Sequence, residues 1–157
     1  MPADLETAEI PLTQGLVALV DFSDLEELSK YKWFAVRQRI GFVAGTKINY
    51  RMVYMHRLLL DTDAPTVDHI NGNGLDNRRL NLRPATRAQN SQNRGKHQTI
   101  HHSRFKGVTL HRGKWVAYIY LNGKRKHLGY FSSQEEAAKA YDKSALENFG
   151  EFARTNF

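Results

Sequence analysis

The chain has 157 residues, 41% of them hydrophobic, enough for one ordinary domain or two small ones, though a subdomain near about 50 residues has little core to spare. It has no cysteine, which excludes disulfides and cysteine zinc clusters. No apolar run approaches the roughly 18–20 residues that span a membrane, and the N-terminus lacks a signal-peptide pattern, so a soluble, cytoplasmic protein is expected.

Net charge is +7, and it is unevenly spread. Residues 1–60 are net zero, residues 61–102 net +2 and residues 103–157 net +5. Between Asp76 and Glu135 there is no acidic residue but thirteen Lys or Arg, interleaved with aromatics. A solvated face rarely runs so long without acids, so the pattern favours a polyanionic partner.

Residues 1–9 are mixed and expected to fray. From Ile10 to about Tyr54 the chain reads as short strands and turns. SDLEELSKYKWF holds one short helix, with Asp24 as its cap and Glu26 and Glu27 in its first turn. FVAGTKINYRMVYMH reads as a hairpin with Gly45 at or near the turn. This region has no chemistry of its own and is expected to pack beneath the functional segment, with Trp33, Phe34, Tyr50 and Tyr54 as core.

Residues 67–94, VDHINGNGLDNRRLNLRPATRAQNSQNR, carry the densest set of chemical groups. VDHI reads as a strand, NGNGLDN as a loop and LNLR as a second strand. Thr86 caps a helix running through Asn93. Cutting a phosphodiester needs an activated water, charge neutralisation on the phosphate and help for the leaving oxygen, and a divalent metal supplies the last two. Asp68 offers a carboxylate and Asn90 an amide carbonyl, the oxygen donors that magnesium prefers. Neighbours on a strand point to opposite faces, so His69 is better placed as general base than as a second ligand. Asn81, on the second strand, is positioned to hydrogen-bond and orient it.

The stretch from about Tyr54 to Lys96 resembles an HNH endonuclease motif of the kind found in phage and intron homing endonucleases. The resemblance rests on HR at 56–57, VDHINGNGLDNRRLNLR at 67–83 and NSQNR at 90–94. It implies a ββα-metal site with one divalent ion, magnesium or manganese. Asp68 and Asn90 would be its ligands, His69 the general base and Asn81 the middle asparagine. Asn93 and Arg94 would contact or position the phosphate backbone. His56 either touches phosphate or braces the fold.

GKHQTIHHS follows as a polar linker. Its histidines, His97, His101 and His102, are expected to be solvated or near phosphate rather than zinc ligands. From Arg104 three strands follow, SRFKGVTLH, KWVAYIYL and KRKHLGYF, with Asn122-Gly123 as the hairpin turn between the last two. Ser132 and Glu135 form a capping box. A helix then runs to about Phe149, with Ala138, Tyr141, Ala145 and Phe149 on one face and Gly150 ending it. FKGV, KWVAYI, LGYF and the segment from Glu135 to Phe157 resemble the plant ethylene-response-factor (APETALA-type) DNA-binding domain. That resemblance implies that the sheet enters a major groove. Lys106, Thr109, His111, Tyr118, Tyr120, Arg125 and His127 fall at DNA-contacting positions, and Arg112 lies among them. Thr109, Tyr118 and Tyr120 differ in type from the plant factors, so the plant target sequence does not transfer. Trp115 and Tyr141 are expected in the core.

The expected fold class is therefore α+β. A β-rich supporting region (1–53) and the nuclease motif (54–96) precede a linker (97–103) and a three-stranded antiparallel sheet packed on one helix (104–157). The expected activity is site-preferring hydrolysis of double-stranded DNA by a mobile-element or phage type of homing endonuclease. The competing expectation is a sequence-specific DNA-binding regulator with an inactive nuclease remnant. No membrane partner is expected. A single site cuts one strand, so a monomer suffices for a nick, and a double cut needs a dimer or a second event.

Overall fold

A computed structural model of the chain describes residues 6–95 and 103–157. It is mixed α and β, with four small antiparallel sheets and few helices. The chain divides into two compact units, 1–87 and 88–157.

The first unit opens with a hairpin, β1 (Thr7–Pro11) and β2 (Val17–Asp21), so residues 7–9, expected to fray, are paired strand, and 1–5 lie outside the described residues. A short helix, α1 (Leu25–Leu28), follows. Asp24 precedes it but makes no side-chain cap, because its carboxylate is held by Arg79. Next comes a three-stranded sheet of β3 (Phe34–Arg37), β4 (Phe42–Ile48) and β5 (Arg51–Tyr54). The β4–β5 turn is Asn49-Tyr50, both with positive φ, as a two-residue hairpin turn requires. Gly45 lies mid-strand instead, paired with Phe34 and Tyr54, where a Cβ would come within 2.8 Å of the Val36 side chain. Helix α2 (Met55–Leu60) leads to a second hairpin, β6 (Thr66–His69) with β7 (Leu82–Ala85).

The core of this unit joins Ile10, Ala18, Val20, Leu28, Trp33, Ala44, Met55, Leu59, Val67 and Leu82. Strand β2 supplies Ala18 and Val20 by alternation, and α2 supplies Met55 and Leu59 one turn apart. The N-terminal region thus packs with β6 and β7 as expected. Of its aromatics, Trp33 is buried and donates its indole N–H to the Leu28 carbonyl at 2.8 Å. Phe34 and Tyr54 are half-buried. Tyr50, expected in the core, is 100% exposed at the hairpin tip, because the two-residue turn leaves nothing to pack on it.

Helix α3 (Arg87–Gln92) starts at the last residue of the first unit, and the rest of it belongs to the second. The expected linker lies outside the described residues except Ser103, which is buried and accepts the Phe105 amide. The three linker histidines also lie outside them. The sheet of β8 (Val108–His111), β9 (Lys114–Leu121) and β10 (Lys124–Phe131) is antiparallel with β9 central. Its turns are Arg112-Gly113 and the expected Asn122-Gly123, all at positive φ. Helix α4 (Gln134–Phe149) carries its capping box at Ser133 and Glu136, one residue later than expected. The doubled Ser-Ser and Glu-Glu offer both registers at the same spacing. Ala137, Ala138, Tyr141 and Ala145 pack against Val108, Ala117 and Ile119, with Trp115 at the margin of the same core. At Gly107 (φ +73) a methyl would overlap the Tyr141 ring and meet the Tyr118 carbonyl, so only glycine lets the chain pass there.

No described helix is long and apolar enough to cross a membrane.

Candidate functional site

The loop between β6 and β7 is held by its own side chains. Asn71 donates from Nδ2 to Asp76 Oδ2 at 2.8 Å, and its Oδ1 accepts from the Asn73 amide at 2.8 Å. Asn73 Oδ1 accepts from the Leu75 amide. The Arg78 guanidinium closes on both Asp76 oxygens at 2.8 and 2.7 Å, and it holds that carboxyl below its usual range. The loop is also stitched to the N-terminal hairpin. The Leu19 amide donates to Leu75 O and the Asn77 amide to Leu19 O, so residues 75–77 run along the edge of β2. Asp21 accepts the Arg79 amide at 2.8 Å, while the Arg79 guanidinium spans Asp24 and the Leu59 carbonyl. Gly74 lies so close to β4 that a Cβ would come 2.5 Å from the Phe42 carbonyl oxygen.

This frame presents His69 and Asp68 on successive positions of β6. Asp68 is buried, and Arg83, its cross-strand partner, donates to Oδ2 from Nε at 2.9 Å and from Nη2 at 2.7 Å. His69 points to the other face, as alternation requires. Its Nε2 lies 3.3 Å from Asn77 Oδ1. An amide oxygen only accepts, so this pairing puts the imidazole hydrogen on Nε2 and the basic lone pair on Nδ1. Burial lowers the His69 pKa from its ordinary 6.5, against the opposing effects of Asn77, Asp68 and Asp76, so the ring is neutral near pH 7.

Asn77 is fully buried, and among the described residues its Nδ2 has no hydrogen-bond partner. The sequence reading places it only in the NGNGLDN loop, where asparagine is ordinary turn material. Asn81, expected to orient His69, instead serves the loop. It accepts the Asn71 amide at 3.0 Å and donates to Asn71 Oδ1 and the Asp76 carbonyl. The register explains this. His69 pairs with Leu82, so Asn81 lies one rung further on, opposite Ile70, whose amide donates to its carbonyl.

His56, on α2, meets His69 edge to face with centroids 5.1 Å apart and stacks on Tyr54 at 5.6 Å. Its Nδ1 is buried, with no partner among the described residues. Burial, then His69 and Arg57, bring its pKa down to about 3, so it stands beside His69 as a neutral ring. The Arg57 beside it donates to the Ala64 and Pro65 carbonyls at 2.6 Å and braces the loop before β6.

In the second unit, Asn90 lies on α3 with Asn93 just past its end, the latter buried and its amide donating to Gln89 O. Arg94 is exposed. Lys106 ends at this helix. Its Nζ donates to the Gln92 and Arg94 carbonyls, both at 2.7 Å, and stands 5.8 Å from the Tyr141 ring centre. Burial lowers its pKa to about 8. Expected at DNA, Lys106 is spent on the unsatisfied carbonyls that every helix C-terminus leaves. The Asn156 side chain pairs with the Lys106 amide and carbonyl and with Asp142, which fixes the turn.

Most of the other expected contacts share one sheet face, opposite α4. Tyr118 pairs with His127, Tyr120 with Arg125 and His111 with Lys114, and Thr109 lies on the same side opposite Val116. Arg125 sits over the Tyr118 ring at 5.3 Å, and Tyr118 meets Tyr120 edge to face. His111, Tyr120, Arg125 and His127 are exposed, and Thr109 and Tyr118 half-exposed. Arg112 occupies the exposed β8–β9 turn.

The β6–β7 hairpin thus presents Asp68 and His69 beside an asparagine-tied loop. The HNH endonuclease family matches residues 64–92. An uncharacterized HNH endonuclease of Acanthamoeba polyphaga mimivirus is 32% identical over 149 residues, covering 91% of this chain and 76% of the relative. The chain belongs to the HNH endonuclease family. Its C-terminal part is similar to APETALA2-like protein 2 of Oryza sativa, 47% identical over 58 residues, which cover 35% of this chain and 13% of the relative. The AP2-like ethylene-responsive transcription factor AIL5 of Arabidopsis thaliana is 48% identical over 59 residues, covering 35% of this chain and 11% of the relative.

Proposed function

We propose that the chain is a homing-type, metal-dependent HNH endonuclease that hydrolyses phosphodiester bonds of double-stranded DNA. The observation that carries this reading is the contact of His69 Nε2 with Asn77 Oδ1. It orients a neutral imidazole so that Nδ1 takes the proton of a water attacking the phosphorus. His56, itself stacked on Tyr54, packs edge to face against the ring. Asp68 and Asn90 would hold one divalent ion, magnesium or manganese. The donor set fits, because both are hard oxygen donors and such an ion completes its shell with water and phosphate oxygens. Among the described residues no three His, Asp or Glu side chains gather at one point. Bound there, the ion would neutralise the phosphate and help the leaving 3′ oxygen depart, giving a 5′ phosphate and a 3′ hydroxyl. Asn93 and Arg94 would lie along the backbone. The face with Tyr118, Tyr120, Arg125 and His127 would dock in a major groove and give site preference.

The second reading, a DNA-binding regulator with an inactive remnant, draws on Arg83, which neutralises Asp68 with a fixed side chain. A supercoiled plasmid separates the two. Nicking that needs magnesium or manganese and disappears in Asp68→Ala supports the nuclease. DNA binding without nicking, whichever of the two ions is supplied, supports the regulator.

A further inference from the structure

The zero net charge of residues 1–60 hides a complete segregation. All seven acids of that region lie before Leu28, and all seven basic residues lie from Lys30 to Arg57. The acid-free segment is the β3–β4–β5 sheet and its approaches, and Arg37, Arg39, Lys47 and Arg51 are exposed on it. Neither Lys47 nor Arg51 pairs with a carboxylate among the described residues. Between them the β4–β5 hairpin turns through Asn49 (φ 48) and Tyr50 (φ 64). Asparagine tolerates that backbone. Tyrosine adopts it only at a cost of roughly 1–2 kcal/mol, and glycine is the residue the turn favours. Yet Tyr50 holds this position with its ring wholly in solvent and no contact to repay the strain, and Met52 beside it is also exposed. A locally unfavourable residue kept at an exposed tip points to a partner outside the chain.

The tip is coupled to the site by its strand. Strand β5 begins at Arg51, beside Tyr50, and ends at Tyr54, which stacks on His56 against His69. Four residues of extended chain, roughly 13 Å, separate the tip from that stack, less than half a turn of duplex.

We propose that the β4–β5 hairpin is a second DNA-contact element, in which Lys47 and Arg51 take backbone phosphates and Tyr50 stacks on or wedges into a base step of the duplex. Aromatic wedges flanked by basic residues are a known way of gripping and deforming DNA, and positive charge without acids complements its phosphates. The element rests on the reading that the chain acts on DNA. It would lie beside the catalytic histidine.

The test uses the full chain, a labelled mixed-sequence duplex and anisotropy over a range of salt. Tyr50→Gly relieves the turn, so its melting temperature is expected to equal or exceed that of the wild type, while duplex affinity falls about tenfold, the size of one base–aromatic stack. Tyr50→Phe keeps the ring and is expected to bind as the wild type does. The double variant Lys47→Gln, Arg51→Gln is expected to flatten the salt dependence by about two phosphate contacts. Wild-type affinity in Tyr50→Gly, or an unchanged salt slope in the double variant, overturns the proposal. The readout is binding, so it stands whether or not the protein cuts, and nicking by the wild type on plasmid reports separately on the nuclease reading.

Discussion

A buried amide that leaves one donor unanswered costs about 1–3 kcal/mol, and Asn77 keeps that arrangement while its oxygen faces His69. Stability alone would favour an apolar side chain there. Asn77→Leu is therefore expected to melt no lower than the wild type while nicking falls roughly 10²-fold, the scale of a misdirected general base. Equal loss of stability and activity would mean that Asn77 only packs. His56 allows a check against pH. Its pKa is about 3 in the fold and 6.5 when unfolded, so the unfolded chain binds the extra proton between those values. The stability linked to the neutral ring is complete above pH 6.5 and is lost as pH falls toward 3. Melting temperatures from pH 7 to 4 should fall more steeply for the wild type than for His56→Asn, and parallel curves would contradict the buried neutral ring.

Among the elements, the β9–β10 hairpin and α4 were legible in the sequence because their signals are local, whereas the β4–β5 turn, expected near Gly45, falls at Asn49-Tyr50. Asn122-Gly123 fixes its turn by backbone preference, and Ala138, Tyr141 and Ala145 mark one helical face by spacing. What stayed hidden depends on partners distant in sequence. Asp24 reads as a helix cap until Arg79, 55 residues away, takes its carboxylate. Asn81 reads as the partner of His69 until the β6–β7 register sets it one rung away. Asp68 and His69 stood out as an adjacent pair, whereas Asn77 sat inside a loop whose glycines and asparagines look like ordinary turn material. Lys106 looks like one more basic residue of a binding face, but its ammonium closes the end of α3. Lys106→Met is expected to leave duplex affinity and its salt slope nearly unchanged and to speed hydrogen exchange at the Asn93 and Arg94 amides. A slope reduced by about one phosphate contact would return Lys106 to the DNA face. Gly107→Ala is expected to cost about 2–3 kcal/mol by forcing a methyl onto the Tyr141 ring, read as a lowered denaturation midpoint.

On the scale of the whole molecule, the chain divides after Arg87. The first unit holds Asp68, His69 and Asn77, and the second holds Asn90 together with the APETALA-like sheet. Within the second unit, Lys106 ties that sheet's approach to the end of the Asn90 helix. Removing residues 104–157 is expected to cost duplex affinity and site preference more than the nicking rate at saturation, and unchanged binding by the truncated chain would contradict a recognition role for that module. Plasmid nicking with magnesium by the wild type and His69→Ala, alongside duplex binding by both, tests whether His69 is the base of a working nuclease. Nicks are expected only in the wild type, with equal binding by the two proteins. Nicking that survives in His69→Ala would contradict that role.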